Sequence, residues 1–386
     1  MIHSRRLRNI PPYPFARWAA RVQAARDQGL DVIRLDIGNP DLPPADEVIE
    51  ALTRAAHDPG QHGYPGYRGI PALREAIAQA YADRFDVSLD PEAHVVPLMG
   101  SKEGIVHMAL AALDPGDVVL VPDPGYAPYS MGGILAEADV YPLPLLAENG
   151  FLPDLGAIPE GVAERAKLMW LNYPNNPTGA TADLGFFADA VGFARRHDLI
   201  LCHDAPYCDV TYGGYTAPSV LQVDGAMDIA VEFNSFSKTY NMAGWRLGMA
   251  VGNMDTLAAL AQIKSNIDSG IFRPIQEAGV RALSLPREWI ERRNALYEER
   301  MDLLIDGLTA AGFEVKAPRA TLYLWTPLPK GQESEPFATA LLQETGVAVA
   351  PGPFFGPAGE GYVRISVTAP TDHIEEAMDR LETFRR

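Results

Sequence analysis

Seven short apolar runs separated by helical patterns restrict the fold of this 386-residue sequence more than any other feature. The runs are rich in Val, Ile and Leu and often apolar at successive residues, which is typical of strands buried on both faces of a sheet. They are "HVVPLM" (94–99), "DVVLVPD" (117–123), "DVYPLPL" (139–145), "KLMWLNY" (167–173), "LILCHDA" (199–205), "IAVEFNS" (229–235) and "LGMAVGN" (247–253).

Helical patterns at 101–113, 129–138 and 184–197 lie between these runs. Strand–helix–strand alternation predicts an α/β fold, a mostly parallel seven-stranded sheet flanked by helices. The last two runs are joined by only about a dozen residues. Because a parallel crossover usually needs more chain than that, one strand is expected to run antiparallel.

The two ends of the chain differ from this body. Residues 1–45 hold an arm rich in Pro and Arg, a helix around 15–28 and a strand in "VIRLDIGNPDLPP". A long charged helix and three strand candidates follow residue 290. We predict a large domain at 46–289 and a smaller α+β domain built from both termini, namely the arm region 1–45 and residues 290–386.

Composition and charge exclude several classes of function. The formal net charge of −18 argues against nucleic acid and anionic membranes as partners. There is neither an apolar run of 18 residues nor an apolar segment near the start, so neither a membrane span nor a signal peptide is predicted. The two cysteines, Cys202 and Cys208, form neither a disulfide framework nor a metal-ligand pattern. The expectation is a cytoplasmic enzyme without a metal.

Polar and aromatic residues follow five of the strand candidates. In open parallel sheets, ligands bind beyond the carboxyl ends of the strands, so these residues are candidates for one site. They are Ser101, Lys102, Tyr126, Asn176, Asp204, Tyr207, Ser235 and Lys238.

Each candidate also has a plain structural interpretation. Ser101 before Glu103 fits a helix N-cap, Tyr126 a core or turn aromatic, and Asp204 a helix or turn cap. Lys238 fits an exposed lysine paired with an acid. We favour a site because the candidates follow strands of one predicted sheet.

The combined chemistry of these residues fits pyridoxal phosphate. That cofactor has an aldehyde for a lysine amine, a ring nitrogen for a carboxylate, a flat face for a tyrosine and a phosphate for hydroxyl and guanidinium donors. Lys238, at the end of a buried strand, is expected to have a lowered pKa and a nucleophilic amine. Arg246, eight residues later, is a candidate phosphate ligand.

The sequence resembles the fold-type I pyridoxal-phosphate aminotransferases of class I/II over nearly its whole length. The motifs are "SFSKTYNMAGWRLG" (235–248), "NYPNNPTG" (172–179) and "HDAPY" (203–207). Among subfamilies it is most similar to the bacterial LL-diaminopimelate aminotransferases, through segments such as "NIPPYPF" and "ENGFLPDL". This resemblance implies a ping-pong exchange of an amino group between an L-amino acid and a 2-oxo acid, with 2-oxoglutarate as the acceptor.

The resemblance also implies a role for each candidate residue. Lys238 would bind the cofactor covalently and move the substrate proton, and Asp204 would pair with the pyridine nitrogen. The ring oxygen would be held by Tyr207 and Asn176, and Tyr126 would stack on the ring. Phosphate ligands would be Ser101, Lys102, Ser235 and Arg246, through side chains or backbone.

Three further residues are assigned by the resemblance alone. Arg364 would bind the substrate α-carboxylate, with Gly38 beside it and with Asn176 and Tyr126 also near the substrate. Tyr64 would reach the phosphate of a neighbouring subunit, which implies a homodimer with shared active sites.

Substrate choice stays open in the sequence. The loop at 64–68 and the segment at 205–209 depart from the subfamily pattern, and both lie near the substrate in the family. Arg68 either recognises a distal carboxylate or pairs with Glu75. Other specificities (aspartate, alanine, methionine or aromatic amino acids) and a β-lyase or decarboxylase reaction remain alternatives.

Overall fold

The structure, a computed structural model, describes residues 4–384 apart from the side chain of Arg5. The strands are β1 (Ile33–Arg34), β2 (Val95–Leu98), β3 (Val118–Asp123), β4 (Asp139–Pro144), β5 (Ala166–Asn172), β6 (Ile200–Asp204), β7 (Ala230–Ser235), β8 (Gly248–Gly252), β9 (Tyr323–Pro327), β10 (Val347–Ala348), β11 (Ala350–Pro351) and β12 (Tyr362–Ser366).

The α-helices follow the same chain order. They are α1 (Arg5–Arg8), α2 (Pro14–Asp27), α3 (Asp46–Ala56), α4 (Pro71–Phe85), α5 (Ser101–Ala112), α6 (Pro128–Leu135), α7 (Glu160–Ala163), α8 (Leu184–Arg196), α9 (Phe236–Thr239), α10 (Met254–Ser265), α11 (Arg273–Leu283), α12 (Arg287–Ala310), α13 (Ser334–Thr345) and α14 (Thr371–Glu382). None of the helices described combines the length and the apolar character that crossing a bilayer requires.

The central sheet has seven strands in the order β2-β8-β7-β6-β5-β3-β4. All seven predicted runs form strands of this sheet, with ends shifted by one residue or so. Strand β8 is antiparallel to both of its neighbours, β2 and β7, and the other pairings are parallel. The predicted α/β sheet with one antiparallel strand is therefore confirmed.

Alternate residues of the central strands enter two different hydrophobic layers. Val119 and Trp170 pack on one face of the sheet, and Leu120 and Leu171 pack on the other. All four are fully or almost fully buried. Because side chains alternate across a strand, a sheet covered by helices on both faces requires apolar residues at successive positions.

The two ends of the chain form a smaller α+β unit, as the sequence predicts. Strand β1 pairs in parallel with β10, and β11, β12 and β9 form an antiparallel sheet. Trp18 of α2, Tyr297 of α12 and Ile374 of α14 are fully buried in the core of this unit. The domain boundaries at 45 and 289 stay a prediction.

A buried lysine fixes the beginning of α5 beneath the sheet. The Nζ atom of Lys264, whose side chain is 1% exposed, lies 2.8 Å from Oε1 of Glu103 and 2.7 Å from Oδ2 of Asp268. Glu103 also accepts a hydrogen bond from the backbone N–H of Met99 at 2.6 Å. This cluster ties α10 to the point where β2 turns into α5.

Candidate active site

A cavity of about 590 Å³ lies at the carboxyl ends of the parallel strands, where the small unit meets the sheet. Both parts of the chain contribute to its wall. The sequence-predicted residues that line it are Gly38, Ser101, Tyr126, Asn176, Asp204, Tyr207, Ser235, Lys238, Arg246 and Arg364.

Lys238 lies in the short helix α9, directly after β7. The side chain of Ser235 caps this helix by accepting a hydrogen bond from the Ser237 N–H at 3.2 Å. The Lys238 Nζ atom donates to the backbone carbonyl of Gly38. Burial lowers the pKa of this amine, as do the positive charges of Arg364 and Arg246. The environment therefore favours a neutral, nucleophilic amine.

Asp204 is a buried carboxylate at the end of β6 with one oxygen unpaired. Its side chain accepts a hydrogen bond from the Tyr129 hydroxyl at Oδ2, 2.7 Å away. The Oδ1 atom is buried and has no partner among residues 4–384. Burial raises the pKa of Asp204 to about 7, although the Tyr129 hydrogen bond opposes the shift. An acceptor left open in this way suits a ligand that brings an N–H donor.

Tyr129 is a site residue that the sequence reasoning missed. Its ring stacks on Trp170 with centroids 5.1 Å apart, so its hydroxyl is held beneath Asp204. It also lies edge-on to Tyr126, with centroids 5.8 Å apart. Tyr129 follows Tyr126 by three residues, at the beginning of a predicted helix. This spacing could have indicated that the two rings lie close together.

A candidate anion site lies where β2 turns into α5. Ser101 is the first residue of α5, and Gly100 is the N-cap, so the N-cap interpretation of Ser101 is wrong. Gly100 has φ +80°, and a Cβ atom there would overlap with the guanidinium of Arg246. Free backbone N–H groups in the first turn of α5, together with Arg246 and Ser235, are suited to phosphate.

Arg364 projects from β12 between two aromatic rings. Its guanidinium carbon lies 4.0 Å from the ring centroid of Tyr323 and 4.5 Å from that of Phe355. The Nη1 atom donates to Asn176 Oδ1 and the Nη2 atom to the Asp36 carbonyl, both at 2.8 Å. The buried Nε atom has no described partner. A planar, partly unsatisfied fork of donors is suited to a carboxylate.

Tyr323 is a second residue that sequence reasoning missed. Its hydroxyl lies 3.0 Å from that of Tyr207. Burial opposes ionisation of Tyr323, but the charges of Arg364 and Lys238 lower its pKa. A Cβ atom at Gly38 would overlap with the Tyr323 hydroxyl, which explains why glycine is required there. The strand prediction for "TLYLWTPL" did not indicate that this residue faces the sheet.

Two predicted residues lie away from the cavity in the single chain. Lys102 is exposed, and its Nζ atom lies 5.5 Å from the ring centroid of Tyr13. Its side chain does not line the cavity, and its role as a phosphate ligand, through side chain or backbone, stays a prediction. Tyr64 is 87% exposed, and its role in a neighbouring subunit also stays a prediction.

Parts of the two segments that were expected near the substrate lie away from the cavity of the single chain, although Pro206 and Tyr207 line it. Arg68 contacts Glu92 rather than Glu75, donating to its backbone carbonyl and lying 3.6 Å from its carboxylate. Cys208 and Asp209 are buried and line a second cavity with Arg84. Both face away from the first cavity because they follow the turn at Tyr207.

The residues of the first cavity fit pyridoxal phosphate. Asp204 leaves one oxygen for a protonated ring nitrogen, and Lys238 offers an amine for the aldehyde. The backbone N–H groups at the α5 N-terminus and the guanidinium of Arg246 are available as donors to the phosphate. The buried, unpaired Nε atom of Arg364 offers a further donor for a substrate carboxylate.

Comparison with known proteins agrees with this geometry. Residues 30–381 match the family described as aminotransferase class I and II. LL-diaminopimelate aminotransferase of Moorella thermoacetica is 51% identical over 381 residues, which is 99% of this chain and 98% of that protein.

Solved structures share the fold over almost the full length. Substrate-bound BacF from Bacillus subtilis has a TM-score of 0.94 and 37% identity, covering 99% of this chain and 97% of that one. A probable N-succinyldiaminopimelate aminotransferase from Thermus thermophilus has a TM-score of 0.90 and 40% identity, covering 95% and 99%. The chain therefore belongs to the class I and II aminotransferases, pyridoxal-phosphate enzymes that exchange amino groups between amino acids and 2-oxo acids.

Proposed function

We propose that this aminotransferase takes its amino group from LL-diaminopimelate and passes it to 2-oxoglutarate. The observation that carries the proposal is full-length similarity, at 51% identity, to an LL-diaminopimelate aminotransferase. A likeness of 40% to a probable N-succinyldiaminopimelate aminotransferase supports the same class of donor, a long amino acid with charge at both ends.

We infer the cofactor contacts from the unsatisfied groups of the cavity. When bound, pyridoxal phosphate supplies a ring that draws electrons away from the substrate α-carbon. Asp204 accepts a hydrogen bond from the protonated ring nitrogen and keeps it charged. Tyr126 packs on the ring face, and Tyr207 and Asn176 face the ring oxygen. Arg246, with Ser101 and Ser235, holds the phosphate.

Lys238 has two tasks in this proposal. Its amine would hold the cofactor covalently between turnovers, and when free it would be the base that takes the α-proton of the substrate. Its lowered pKa serves both tasks, because each requires the neutral amine. Arg364 binds the α-carboxylate of donor and acceptor in turn, and Gly38 lies beside that carboxylate.

Lys238→Ala is expected to remove covalent attachment of the cofactor. Borohydride reduction of the wild-type holoenzyme should add the mass of the cofactor to the chain, whereas the variant should stay unlabelled. Activity should fall by at least about a thousandfold. The exposed lysine variant Lys330→Ala is the matched control and should behave as wild type. Labelling of the Lys238→Ala chain at another lysine would contradict the assignment.

Asp204→Asn is expected to stabilise the cofactor-free protein in a pH-dependent way. Because burial raises the pKa of Asp204 to about 7, the folded protein favours the protonated acid. The stability that Asp204 contributes as a neutral acid is fully present below pH 3.8, is lost progressively as the pH rises, and is gone above about 7. Asn cannot ionise, so its gain in unfolding free energy should reach up to about 4 kcal/mol at pH 8.5 and about half of that at pH 5.5.

Chemical denaturation at the two pH values measures this difference. Asp302→Asn, at an exposed aspartate, is the control and should show no such pH dependence. In the loaded enzyme the same Asp204→Asn change should lower kcat by at least about a hundredfold, because the ring nitrogen loses its anionic partner. An equal gain in stability at both pH values would contradict a buried, ionising Asp204.

Single-turnover reactions with one donor at a time test the substrate. LL-diaminopimelate should bleach the visible band of the lysine-bound cofactor and release one equivalent of a 2-oxo acid, with a higher kcat/KM than aspartate, alanine, methionine or phenylalanine. Adding 2-oxoglutarate should restore the band. Release of ammonia or carbon dioxide instead would indicate a β-lyase or a decarboxylase, and a faster reaction with another donor would refute the proposed substrate.

We also propose a homodimer with shared sites. Tyr64 and Tyr67 are 87% and 54% exposed, unusual for large aromatic side chains on a surface that faces only water. Co-expressed Tyr64→Ala and Lys238→Ala chains should regain about a quarter of wild-type activity, since half of the dimers then hold one intact site. Light scattering should give the mass of two chains, and absence of recovery would show that Tyr64 serves its own subunit or none.

A further inference from the structure

Arg34 and Asp36 are two charged residues of the active-site wall that the cofactor contacts leave unused. Both line the cavity, together with Gly38. Arg34 is the last residue of β1, and the chain that follows it to Asn39 continues along the cavity wall. Arg364 and Arg246, by contrast, are already assigned to the α-carboxylate and the phosphate.

The two side chains form a bidentate ion pair. The Nε and Nη2 atoms of Arg34 lie 2.6 Å and 2.7 Å from Oδ1 and Oδ2 of Asp36. The Asp36 side chain is fully buried, and that of Arg34 is 23% exposed. These bonds use only two of the three guanidinium nitrogens, so the Nη1 atom of Arg34 remains for a ligand. Asp36 has no exposed surface, so its part is to fix the Arg34 guanidinium through these two bonds.

The pair lies next to the arginine that grips the substrate. The backbone carbonyl of Asp36 accepts the hydrogen bond from Arg364 Nη2 at 2.8 Å. A substrate held by Arg364 therefore extends past a wall that carries one fixed positive and one fixed negative charge. The neighbouring wall is largely apolar and aromatic, formed by Phe15, Ala19 and Phe354. Such a wall suits the methylene chain of a long donor.

We propose that Arg34 and Asp36 form the subsite for the far end of the donor. Arg34 would bind the distal carboxylate, and the buried Asp36 would hold the Arg34 guanidinium in position. This inference rests on the proposed function, because LL-diaminopimelate carries a complete amino acid at its far end. The fixed position of the Arg34 guanidinium also matters. In the meso isomer the distal ammonium and carboxylate exchange places, so the pair would favour the LL form.

The charge-neutral double variant Arg34→Gln/Asp36→Asn tests the subsite. Replacing both members avoids leaving an unpaired buried charge, which would destabilise the fold. In donor half-reactions without an oxo acid, its kcat/KM for LL-diaminopimelate should fall by about tenfold to a hundredfold, mainly through a higher KM. The loss for L-alanine, which has no far end, should be several times smaller. Discrimination between LL- and meso-diaminopimelate should also decrease.

Arg195→Gln/Asp228→Asn is the matched control. These residues form an ion pair of 2.7 Å between exposed side chains that lie outside the cavity wall. The control should retain wild-type kinetics with every donor. Thermal unfolding and cofactor absorbance of both double variants show whether the fold and the cofactor site are intact.

The outcomes separate this inference from the proposed function. If wild-type enzyme does not react with LL-diaminopimelate, the proposed substrate fails. If wild-type enzyme reacts but the Arg34/Asp36 double variant keeps its KM and its preference for the LL isomer, the subsite fails and the ion pair is only structural. Equal losses for L-alanine and LL-diaminopimelate would likewise overturn the subsite.

Discussion

The common direction of six strands is the constraint on which the site depends. Because β8 is antiparallel to both β2 and β7, β2 runs parallel to the remaining strands. The carboxyl ends of β2, β3, β5, β6 and β7 consequently lie along one edge. Residues separated by up to about 140 positions in the chain, such as Ser101 and Lys238, thereby face one cavity.

Burial gives the cavity groups their chemistry. Loss of hydration raises the pKa of Asp204 and lowers the pKa of Lys238, because in both cases burial disfavours the charged form. The Oδ1 atom of Asp204 and the Nε atom of Arg364 are buried without a hydrogen-bond partner, which lowers the stability of the folded chain. Such unsatisfied groups are expected where a ligand completes the hydrogen bonding.

The small unit closes the cavity from the other side. It brings Tyr323, Phe355 and Arg364 against residues of the sheet, and the hydrogen bonds of Arg364 to Asn176 and Asp36 join the two. The substrate recognition that we propose for Arg364 therefore depends on the contact between the chain ends and the sheet. The proposed Arg34–Asp36 subsite also belongs to the small unit. Recognition of the far end of the donor would therefore depend on the same contact between the chain ends and the sheet.

The sequence determined the seven strands of the sheet, the helices α5, α6 and α8 and the strand-end residues that line the cavity, since apolar runs and the residues that follow them are local patterns. It did not reveal Tyr129 or Tyr323, whose importance comes from contacts with Asp204 and Tyr207 that only folding creates. It left open whether Lys102 would act through its side chain or its backbone, because helix direction, not proximity in sequence, decides where a side chain points. The tertiary structure alone decided which charged groups remain unpaired, because desolvation depends on everything packed around a group, whereas strand and helix patterns depend mainly on near neighbours.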